Sequence, residues 1–184
     1  MTSGDRVFDG SIPEIYDEYL VPLIFEEYAD DIAARVASTN PDSVLEIAAG
    51  SGVVTRALAP RLSATARYTV TDLNQGMLDR AISQQPPDDR IEWKQADALN
   101  LPFEDASFDV VVCQFSVMFF PDKVAGYAEA QRVLKPGGLF MFNVWHDLEA
   151  NEFSNIVAQA ANDVYPDDRP SSSLERRSLI TMRS

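Results

Sequence analysis

Several residue types are scarce in this chain, and each scarcity narrows what the protein can be. The single cysteine, Cys113, excludes an intramolecular disulfide framework and a zinc site built from cysteines. Its place in the apolar run VVVCQF predicts a small buried side chain. The chain also has one histidine, and no cluster of metal ligands stands out. We therefore expect no metal centre.

Basic residues are few as well. The chain has 15 Lys and Arg against 29 Asp and Glu, which gives a formal net charge of -14. Such a chain lacks the positive surface that a phosphate backbone requires, so we expect no nucleic-acid partner. No apolar run approaches the roughly 18 residues of a membrane span, and the opening MTSGDRVFDG lacks the pattern of a signal peptide. These absences predict a cytoplasmic protein.

Short β-rich runs alternate with helical or turn-rich segments, and this order predicts the fold. The β-rich runs are SVLEIA, ARYTVTD, RIEWKQAD, FDVVVCQF and GLFMFNVW, and the clearest helical segments between them are NQGMLDRAISQ and DKVAGYAEAQRVL. Five strands joined by crossovers indicate a doubly wound α/β domain with a mostly parallel sheet and helices on both faces. Ligands of such a sheet bind at the carboxyl ends of its strands, near the point where the strand order reverses.

Two further segments complete the predicted architecture. An amphipathic helix is predicted over residues 21–38, with one apolar stripe formed by Ile24, Tyr28, Ile32 and Val36. The KPGG segment, residues 135–138, predicts a helix stop and a tight turn into the fifth strand.

Acidic residues mark the ends of three successive strands. Glu46 lies in the first predicted strand, Asp72 closes the second and Asp97 closes the third, so all three carboxylates should meet at one crevice. A ligand held there should be cationic or rich in N–H and O–H donors. S-adenosylmethionine offers a sulfonium, an ammonium, ribose hydroxyls and an adenine amine, whereas the pyrophosphate of a dinucleotide would be repelled.

The turn after the first strand is rich in glycine. Gly50 and Gly52 supply the first two glycines of a G-x-G-x-x-G dinucleotide fingerprint, and Thr55 stands where the third is required. The glycines predict a ligand close to the backbone. The missing third glycine and the three acids disfavour a nicotinamide-dependent oxidoreductase.

Four motifs together resemble class I S-adenosylmethionine-dependent methyltransferases. They are VLEIAAGSG, VTDLNQGML, QADALNLPFEDASFDVVVCQFSVMFF and RVLKPGGLFMFNVW. The resemblance covers about residues 12–150 and is nearest to the small-molecule branch that includes the ubiquinone and menaquinone methyltransferases. It implies a Rossmann-like fold and S-adenosyl-L-methionine as the cofactor, with S-adenosyl-L-homocysteine as the product.

The resemblance assigns roles at the cofactor's methionine end. Gly50 and Gly52 would let the methionine moiety approach the turn, and Glu46 would help to hold its amino group. Ala48 stands where the family has its first motif glycine, which adds a methyl group near the cofactor.

At the adenosine end the resemblance assigns five more residues. Asp72 would accept hydrogen bonds from the ribose hydroxyls. Leu73 and Met77 would flank the adenine. Asp97 would bond its exocyclic amine, and the backbone N–H of Ala98 would meet a ring nitrogen.

Structural alternatives exist for the same acids. Asp72 could serve as the N-cap of the following helix, and Asp97 could merely end its strand. For Asp105 and Asp109 we favour a role in the turn before the fourth strand over a functional one.

The methyl group and its acceptor would lie near the fourth strand. By the resemblance, Gln114 is one of the cofactor-binding residues, and Gln114 and Ser116 border the methyl group and the substrate. Phe119, in the aromatic run MFF, either belongs to the core or faces the pocket. Tyr16 and Tyr19 either form a lid over the cofactor or pack ordinarily at the surface.

His146 follows the fifth strand and is a candidate general base, although a histidine beside Asp147 is also consistent with simple solvation. Methyl transfer from a sulfonium is an in-line displacement that needs orientation and a dry site. A base is required only if the acceptor must lose a proton.

The end of the chain departs from the family. Two further strands are expected after the fifth, and nothing after Tyr165 resembles them. We expect a methyltransferase domain over residues 1–165, with a helical lid region at 1–40, and a linker-like or disordered tail at 166–184. The exposed fifth strand should then be covered, either by the segment SLITM folding back or, as we favour, by a second copy in a homodimer.

Two functional hypotheses follow. The first is a methyltransferase acting on a small-molecule acceptor. The second is a truncated relative that holds the cofactor and turns nothing over.

Overall fold

The structure is a computed structural model, and it describes residues 25–145 together with the backbone of residues 182–183. By its contacts the chain divides into a unit of residues 1–143 and 181–184 and a unit of residues 144–180. The second unit lies almost entirely outside the described residues.

The described residues form four helices and six strands. The helices are α1 (Glu26–Ser38), α2 (Val53–Leu58), α3 (Gln75–Gln84) and α4 (Lys123–Val133). The strands are β1 (Ser43–Glu46), β2 (Arg67–Asp72), β3 (Ile91–Gln95), β4 (Phe108–Gln114), β5 (Leu134–Asn143) and β6 (Met182–Arg183). Short 3-10 turns follow α2 at Ala59–Arg61 and β4 at Val117–Phe119. No helix in this part of the chain has the length and apolar character needed to cross a bilayer.

The six strands form one sheet in the order β3-β2-β1-β4-β5-β6. Strands β1 to β5 are all parallel. The chain adds β2 and β3 on one side of β1 and then returns to add β4 and β5 on the other side, so the strand order reverses between β1 and β4. The predicted doubly wound sheet is confirmed. The carboxyl ends of β1 and β4 therefore flank the crevice at the topological switch point.

Both faces of the central strands are buried. Val44 and Val110 on one face, and Leu45 and Val111 on the other, are at most 1% exposed. Cys113 is fully buried, as the sequence predicted. Burial on both faces is the pattern expected for a parallel sheet covered by helices on each side.

Helix α1 packs its apolar face on this sheet, but the face is rotated from the predicted stripe. Its buried residues are Ala29, Ile32, Ala33 and Val36. Tyr28, which we placed in the stripe, is 46% exposed, and its ring meets the edge of Phe115 at 5.2 Å between centroids. The small side chains of Ala29 and Ala33 let the helix approach the sheet closely. The predicted stripe was based on large apolar residues only, so it did not include these alanines. Ile24 lies outside the described residues.

The KPGG segment is architectural and follows directly on the end of α4 at Val133, as predicted, but it lies within β5 as an irregularity of the strand and is not a turn before it. Phe108 pairs with Leu134 and Val110 with Leu139, so the register of β4 and β5 shifts across this segment. Gly137 adopts a left-handed φ of 80°. A Cβ on Gly138 would come within 2.9 Å of the Lys135 carbonyl, so only glycine fits there.

The outer edge of β5 carries β6, which pairs antiparallel with it through Leu139↔Arg183 and Phe140↔Met182. Met182 is the last residue of the SLITM segment. The structure thus shows the SLITM segment folded back onto β5 over two residue pairs. Our prediction that a second copy of the chain covers this part of the β5 edge was wrong. Pairing of two chains elsewhere along β5 stays a prediction.

A polar cluster joins three strands at the amino edge of the sheet, opposite the crevice. Asp109 Oδ2 accepts hydrogen bonds from the backbone N–H and the hydroxyl of Ser43 at 2.9 and 2.7 Å. Asp109 Oδ1 accepts from Lys135 Nζ at 2.8 Å. Burial raises the pKa of Asp109, but the bonds from Lys135 and Ser43 outweigh it and hold that pKa below its usual range. Asp109 is thus structural, as we expected, although it links strands rather than serving a turn.

A second polar link fixes the loop before β4. Arg132 of α4 donates to the carbonyls of Leu101 and Phe103 at 2.9 and 2.7 Å, and to Asp105 at 2.9 Å. Glu129 completes the link by accepting from the Leu101 N–H at 2.8 Å. The LPFED part of the sequence motif is therefore held by the helix that follows β4.

Replacing Asp109 by alanine should lower the free energy of unfolding by about 1 to 3 kcal/mol, because it removes several charge-assisted hydrogen bonds at once. Folding lowers the pKa of Asp109. The stabilisation by Asp109 is therefore fully present at pH values above the pKa of Asp109 in the unfolded chain, and it is lost as the pH falls through the pKa of Asp109 in the folded chain. Urea unfolding at pH 7 and pH 3 measures both effects.

The matched control is Asp105→Ala, whose side chain is 79% exposed and has one ion-pair partner, Arg132. It should cost less than about 1 kcal/mol. Equal losses for the two variants would contradict the role given to Asp109.

Candidate active site

The turn that follows β1 is held in a left-handed backbone conformation at three positions. Ala48, Gly50 and Gly52 have φ values of 53°, 58° and 80°. A Cβ on Gly50 would meet no atom within 4 Å, so open space lies before this residue. A Cβ on Gly52 would come within 2.8 Å of Ala81 in α3, so Gly52 is required for helix packing. The two glycines therefore serve different purposes.

Ala48 is the one residue with a Cβ among these three. The left-handed region costs a non-glycine residue about 1 kcal/mol, which explains why a glycine is expected at this position. The carbonyl of Ala48 accepts a 3.4 Å contact from the hydroxyl of Ser116, and the N–H of Ala49 donates to Thr71 O at 2.9 Å. The turn is thus tied to β2 and to the segment after β4.

Asp72 connects the end of β2 to the glycine turn. Its Oδ2 accepts from the Gly50 N–H at 2.7 Å, and its Oδ1 accepts from the Asn74 N–H at 2.8 Å. Burial raises the pKa of Asp72, against these backbone hydrogen bonds, which lower it. The N-cap of α3 is Asn74, whose side chain accepts from the Met77 N–H, so the capping alternative for Asp72 was wrong.

Glu46 lies beneath the turn and is 2% exposed. Its Oε2 accepts from Thr55 of α2 at 2.7 Å and from the hydroxyl of Tyr68 of β2. Burial raises the pKa of Glu46 to about 7, although the bonds from Tyr68 and Thr55 oppose the shift. Nearby Asp72 raises that pKa further and Arg56 lowers it. The carboxyl group predicted to hold the cofactor's amino end thus takes its hydrogen bonds from the protein, and the contact with the cofactor stays a prediction.

On the β2 and β3 side the structure brings the predicted adenosine residues to one edge. Leu73 is 50% exposed and Met77 is 7% exposed. Strand β3 ends at Gln95, two residues before Asp97. Asp97 is exposed, and its Oδ1 accepts from the Leu99 N–H at 2.9 Å. Ala98 beside it is buried.

On the β4 side the chain turns sharply at Phe115, which has a φ of 52°. The Phe115 N–H donates to Asn143 Oδ1 at 3.0 Å, which fixes this turn to the end of β5. Gln114 donates through Nε2 to the Phe25 carbonyl at 3.2 Å. Phe119 is 77% exposed, which excludes a core role for this ring and leaves its predicted place at the pocket open.

Three predicted site residues, Tyr16, Tyr19 and His146, lie outside the described residues.

Sequence reasoning missed Tyr68 and Thr55, the two donors to Glu46, and it missed Phe115. A tyrosine and a threonine in apolar surroundings look like ordinary strand and helix residues. The signal that could have found them is the buried acid itself, since a buried carboxyl requires hydrogen-bond donors.

Fold and site together define a class. A doubly wound parallel sheet with a glycine turn after β1 and buried acids at the ends of β1 and β2 is a cofactor-binding α/β domain whose crevice suits a ligand rich in donors. The match to known families makes this specific: the family described as a methyltransferase domain matches residues 45–142, more than half of the chain. The chain therefore belongs to the methyltransferase domain family, and S-adenosyl-L-methionine is its cofactor.

Curated relatives agree with this assignment. A demethylmenaquinone methyltransferase of Staphylococcus aureus is 35% identical over 137 residues, which are 73% of this chain and 56% of that protein. The ubiquinone/menaquinone biosynthesis C-methyltransferase UbiE of Hahella chejuensis is 36% identical over 126 residues, which are 67% of this chain and 49% of that protein. The chain thus spans about half the length of the curated relatives it matches.

Solved structures share the fold. A crystal structure of an S-adenosyl-L-methionine-dependent methyltransferase from Methanococcus maripaludis superposes with a TM-score of 0.64 at 23% identity, covering 91% of this chain and 77% of that one. A methyltransferase from Bacillus halodurans gives 0.55 at 26% identity, covering 76% and 61%.

Glu46→Gln should remove a pH dependence of stability. The pKa of Glu46 is raised from 4.5 to about 7 in the folded chain. The unfolded chain therefore ionises first, and the contribution of Glu46 is lost as the pH rises towards 7, by about 3 kcal/mol in all. Glutamine keeps an acceptor oxygen for Tyr68 and Thr55 but cannot titrate.

Urea unfolding from pH 4.5 to pH 8 measures this effect. The difference between wild type and Glu46→Gln should fall across that range and level off above pH 7. Glu92→Gln, at an exposed position of β3, is the control and should leave the profile unchanged. Parallel profiles for wild type and Glu46→Gln would contradict the assignment.

Proposed function

We propose that this protein transfers the methyl group of S-adenosyl-L-methionine to a carbon atom of a quinone-type small molecule in its reduced form. The single observation that carries the cofactor part is the turn at Gly50. Its N–H is held by Asp72 at 2.7 Å, and open space lies where any side chain would stand. The proposal of a quinone-type acceptor is supported by the family and by the names of the curated relatives.

The crevice fits the cofactor's chemistry. Gly50 offers a backbone without a side chain, against which the methionine moiety can lie. A carboxylate has about four lone-pair sites, and those of Asp72 are shared among the backbone N–H groups of Gly50, Asn74 and Leu73. The remaining acceptor capacity suits a ribose hydroxyl. Leu73, half exposed, and Met77 offer apolar contact for the adenine, and Asp97 offers an acceptor for its amine.

Electrostatics favour this cofactor over a dinucleotide. The two buried carboxyl groups, Glu46 and Asp72, have pKa values that burial raises, so each gains from a neighbouring positive charge. The cofactor brings an ammonium and a sulfonium. A pyrophosphate would bring negative charge to the same place.

In the proposed reaction the protein supplies position and a dry site. When bound, S-adenosyl-L-methionine provides a methyl group already activated by the sulfonium. The side chains at the end of β4 would hold the acceptor carbon in line with the methyl–sulfur bond, and the aromatic residues there would exclude water. His146 is proposed as the base that takes the proton an aromatic carbon loses after methylation.

Exposed apolar surface beside the crevice supports a quinone-type acceptor. Phe119 and Val124 are 77% and 79% exposed, on the segment that leads from β4 into α4. The relatives from Staphylococcus aureus and Hahella chejuensis are named for quinone methylation. A largely apolar acceptor would cover such residues.

A second candidate is a module that binds the cofactor without turnover. One observation favours it: the chain spans 56% of the Staphylococcus aureus relative and 49% of the Hahella chejuensis one. The remaining half of each relative lies outside the region aligned with this chain.

The cofactor assignment predicts that the chain binds S-adenosyl-L-methionine and S-adenosyl-L-homocysteine and that Asp72→Asn weakens both by about 1 to 3 kcal/mol. The amide would present a donor or a weaker acceptor to the Gly50 N–H and the ribose. Titration calorimetry measures the affinities. Asp79→Asn, on the exposed face of α3, is the control and should bind as wild type does. Heat with NADH and none with either sulfur ligand would overturn the assignment.

The reaction is tested by incubating the chain with S-adenosyl-L-methionine and reduced demethylmenaquinone. We expect a product heavier by one CH₂ group in mass spectrometry, and a slower reaction with His146→Ala at unchanged cofactor affinity. Cofactor binding without any methylated quinol would favour the module that does not turn over.

A further inference from the structure

Two buried side-chain oxygens of the described residues lack a hydrogen-bond partner: Oε1 of Gln85 and Oε1 of Gln114. Gln85 follows α3 on the way into β3, at the amino edge of the sheet. Gln114 is the last residue of β4, at the crevice. Native proteins pair nearly all buried polar groups, so an unpaired acceptor beside a binding site requires an explanation.

Strand pairing and a hydrogen bond to the start of α1 fix the position of Gln114. Register places Val112 beside Glu46, and Gln114 lies two residues further towards the crevice, beside Asn143. Its side chain points to the same face as Val110 and Val112, which pack in the core under α1. Nε2 donates to the Phe25 carbonyl, at the start of α1, at 3.2 Å.

The backbone around Gln114 is also constrained. Phe115, the next residue, has a φ of 52°, a conformation that strains a bulky residue. Its ring contacts Phe25 and Tyr28, with centroids 5.6 and 5.2 Å apart. The hydroxyl of Ser116 donates to the Gln114 carbonyl at 3.2 Å. Strained residues held by their surroundings are common at ligand sites.

These contacts leave the oxygen of the Gln114 carboxamide without a partner. One N–H of its nitrogen is donated to Phe25, and its oxygen can accept an N–H or O–H from a bound molecule. The last torsion of a glutamine is soft, so the oxygen can turn towards such a donor without moving the strand. The oxygen is uncharged and suits a neutral hydroxyl, whereas an ammonium is better served by the carboxylates of Glu46 and Asp72 on β1 and β2.

We propose that Oε1 of Gln114 accepts a hydrogen bond from a hydroxyl group of the methyl acceptor and thereby selects acceptors that carry this hydroxyl. This inference rests on the proposed function and adds a specificity-determining residue to it. A site built around an acceptor oxygen disfavours an analogue without the donor, because the oxygen is then left unpaired.

The test compares naphthohydroquinone with its dimethyl ether, which has the same rings and no hydroxyl. With S-adenosyl-L-homocysteine bound, wild type should prefer the hydroquinone by about tenfold in calorimetry. In Gln114→Met, which keeps the length and loses both polar atoms, the preference should fall below about twofold. The affinity for S-adenosyl-L-homocysteine should stay within about twofold of wild type.

Gln131→Met is the matched control, because Gln131 is exposed on α4, and it should keep the wild-type preference. A melting temperature of unliganded Gln114→Met close to that of wild type would show that the side chain is not kept for folding. An unchanged preference in Gln114→Met, or an equal loss of S-adenosyl-L-homocysteine affinity, would overturn this inference while leaving the proposed function intact. Failure of wild type to bind S-adenosyl-L-homocysteine would overturn both.

Discussion

The hydrogen bond from the Gly50 N–H to Asp72 is the interaction on which the site depends. At 2.7 Å it fastens the turn after β1 to the end of β2. Together with the bond from the Ala49 N–H to the Thr71 carbonyl at 2.9 Å, it fixes the left-handed turn at Ala48, Gly50 and Gly52 relative to the neighbouring strand. The same carboxylate also orders the entry into α3 through Asn74. One side chain thus sets the spacing between the methionine end and the adenosine end of the predicted cofactor position.

The acids beneath this turn are costly to bury. Glu46 takes two protein donors and still has a pKa raised to about 7, because desolvation outweighs them. At the opposite edge of the sheet the arrangement is reversed: Asp109 is paired with Lys135, and its pKa is lowered. A charge pair therefore stabilises the amino edge, while at the carboxyl edge burial outweighs the opposing influence of Arg56 on Glu46, as expected where a cationic ligand binds.

Sequence reasoning predicted the five parallel strands because alternation of β-rich and helical runs leaves few other folds. It also predicted the two acids at the crevice, Glu46 and Asp72, since strand ends can be recognised from the pattern. It could not predict Tyr68 and Thr55 as partners of Glu46, because contacts across 22 and 9 residues depend on how β2 pairs with β1 and where α2 packs. Sequence reasoning also could not predict the left-handed backbone conformation of Phe115, since no local propensity favours a phenylalanine in that conformation. The segment SLITM was one of two candidates to cover β5, but the two-residue strand β6 is too short to give a periodic signal that would have decided between them.

The contact between Gly52 and Ala81 has a consequence for how this sequence can change over time. A Cβ at position 52 would lie 2.8 Å from the Ala81 side chain, so the two positions share one small space. A larger residue at 81 would displace α3, and Met77 on the same helix would move with it. Lineages that keep the crevice should therefore vary at these two positions only together. Position 50, with open space before it, should instead be constrained by backbone conformation and by the molecule that occupies the crevice.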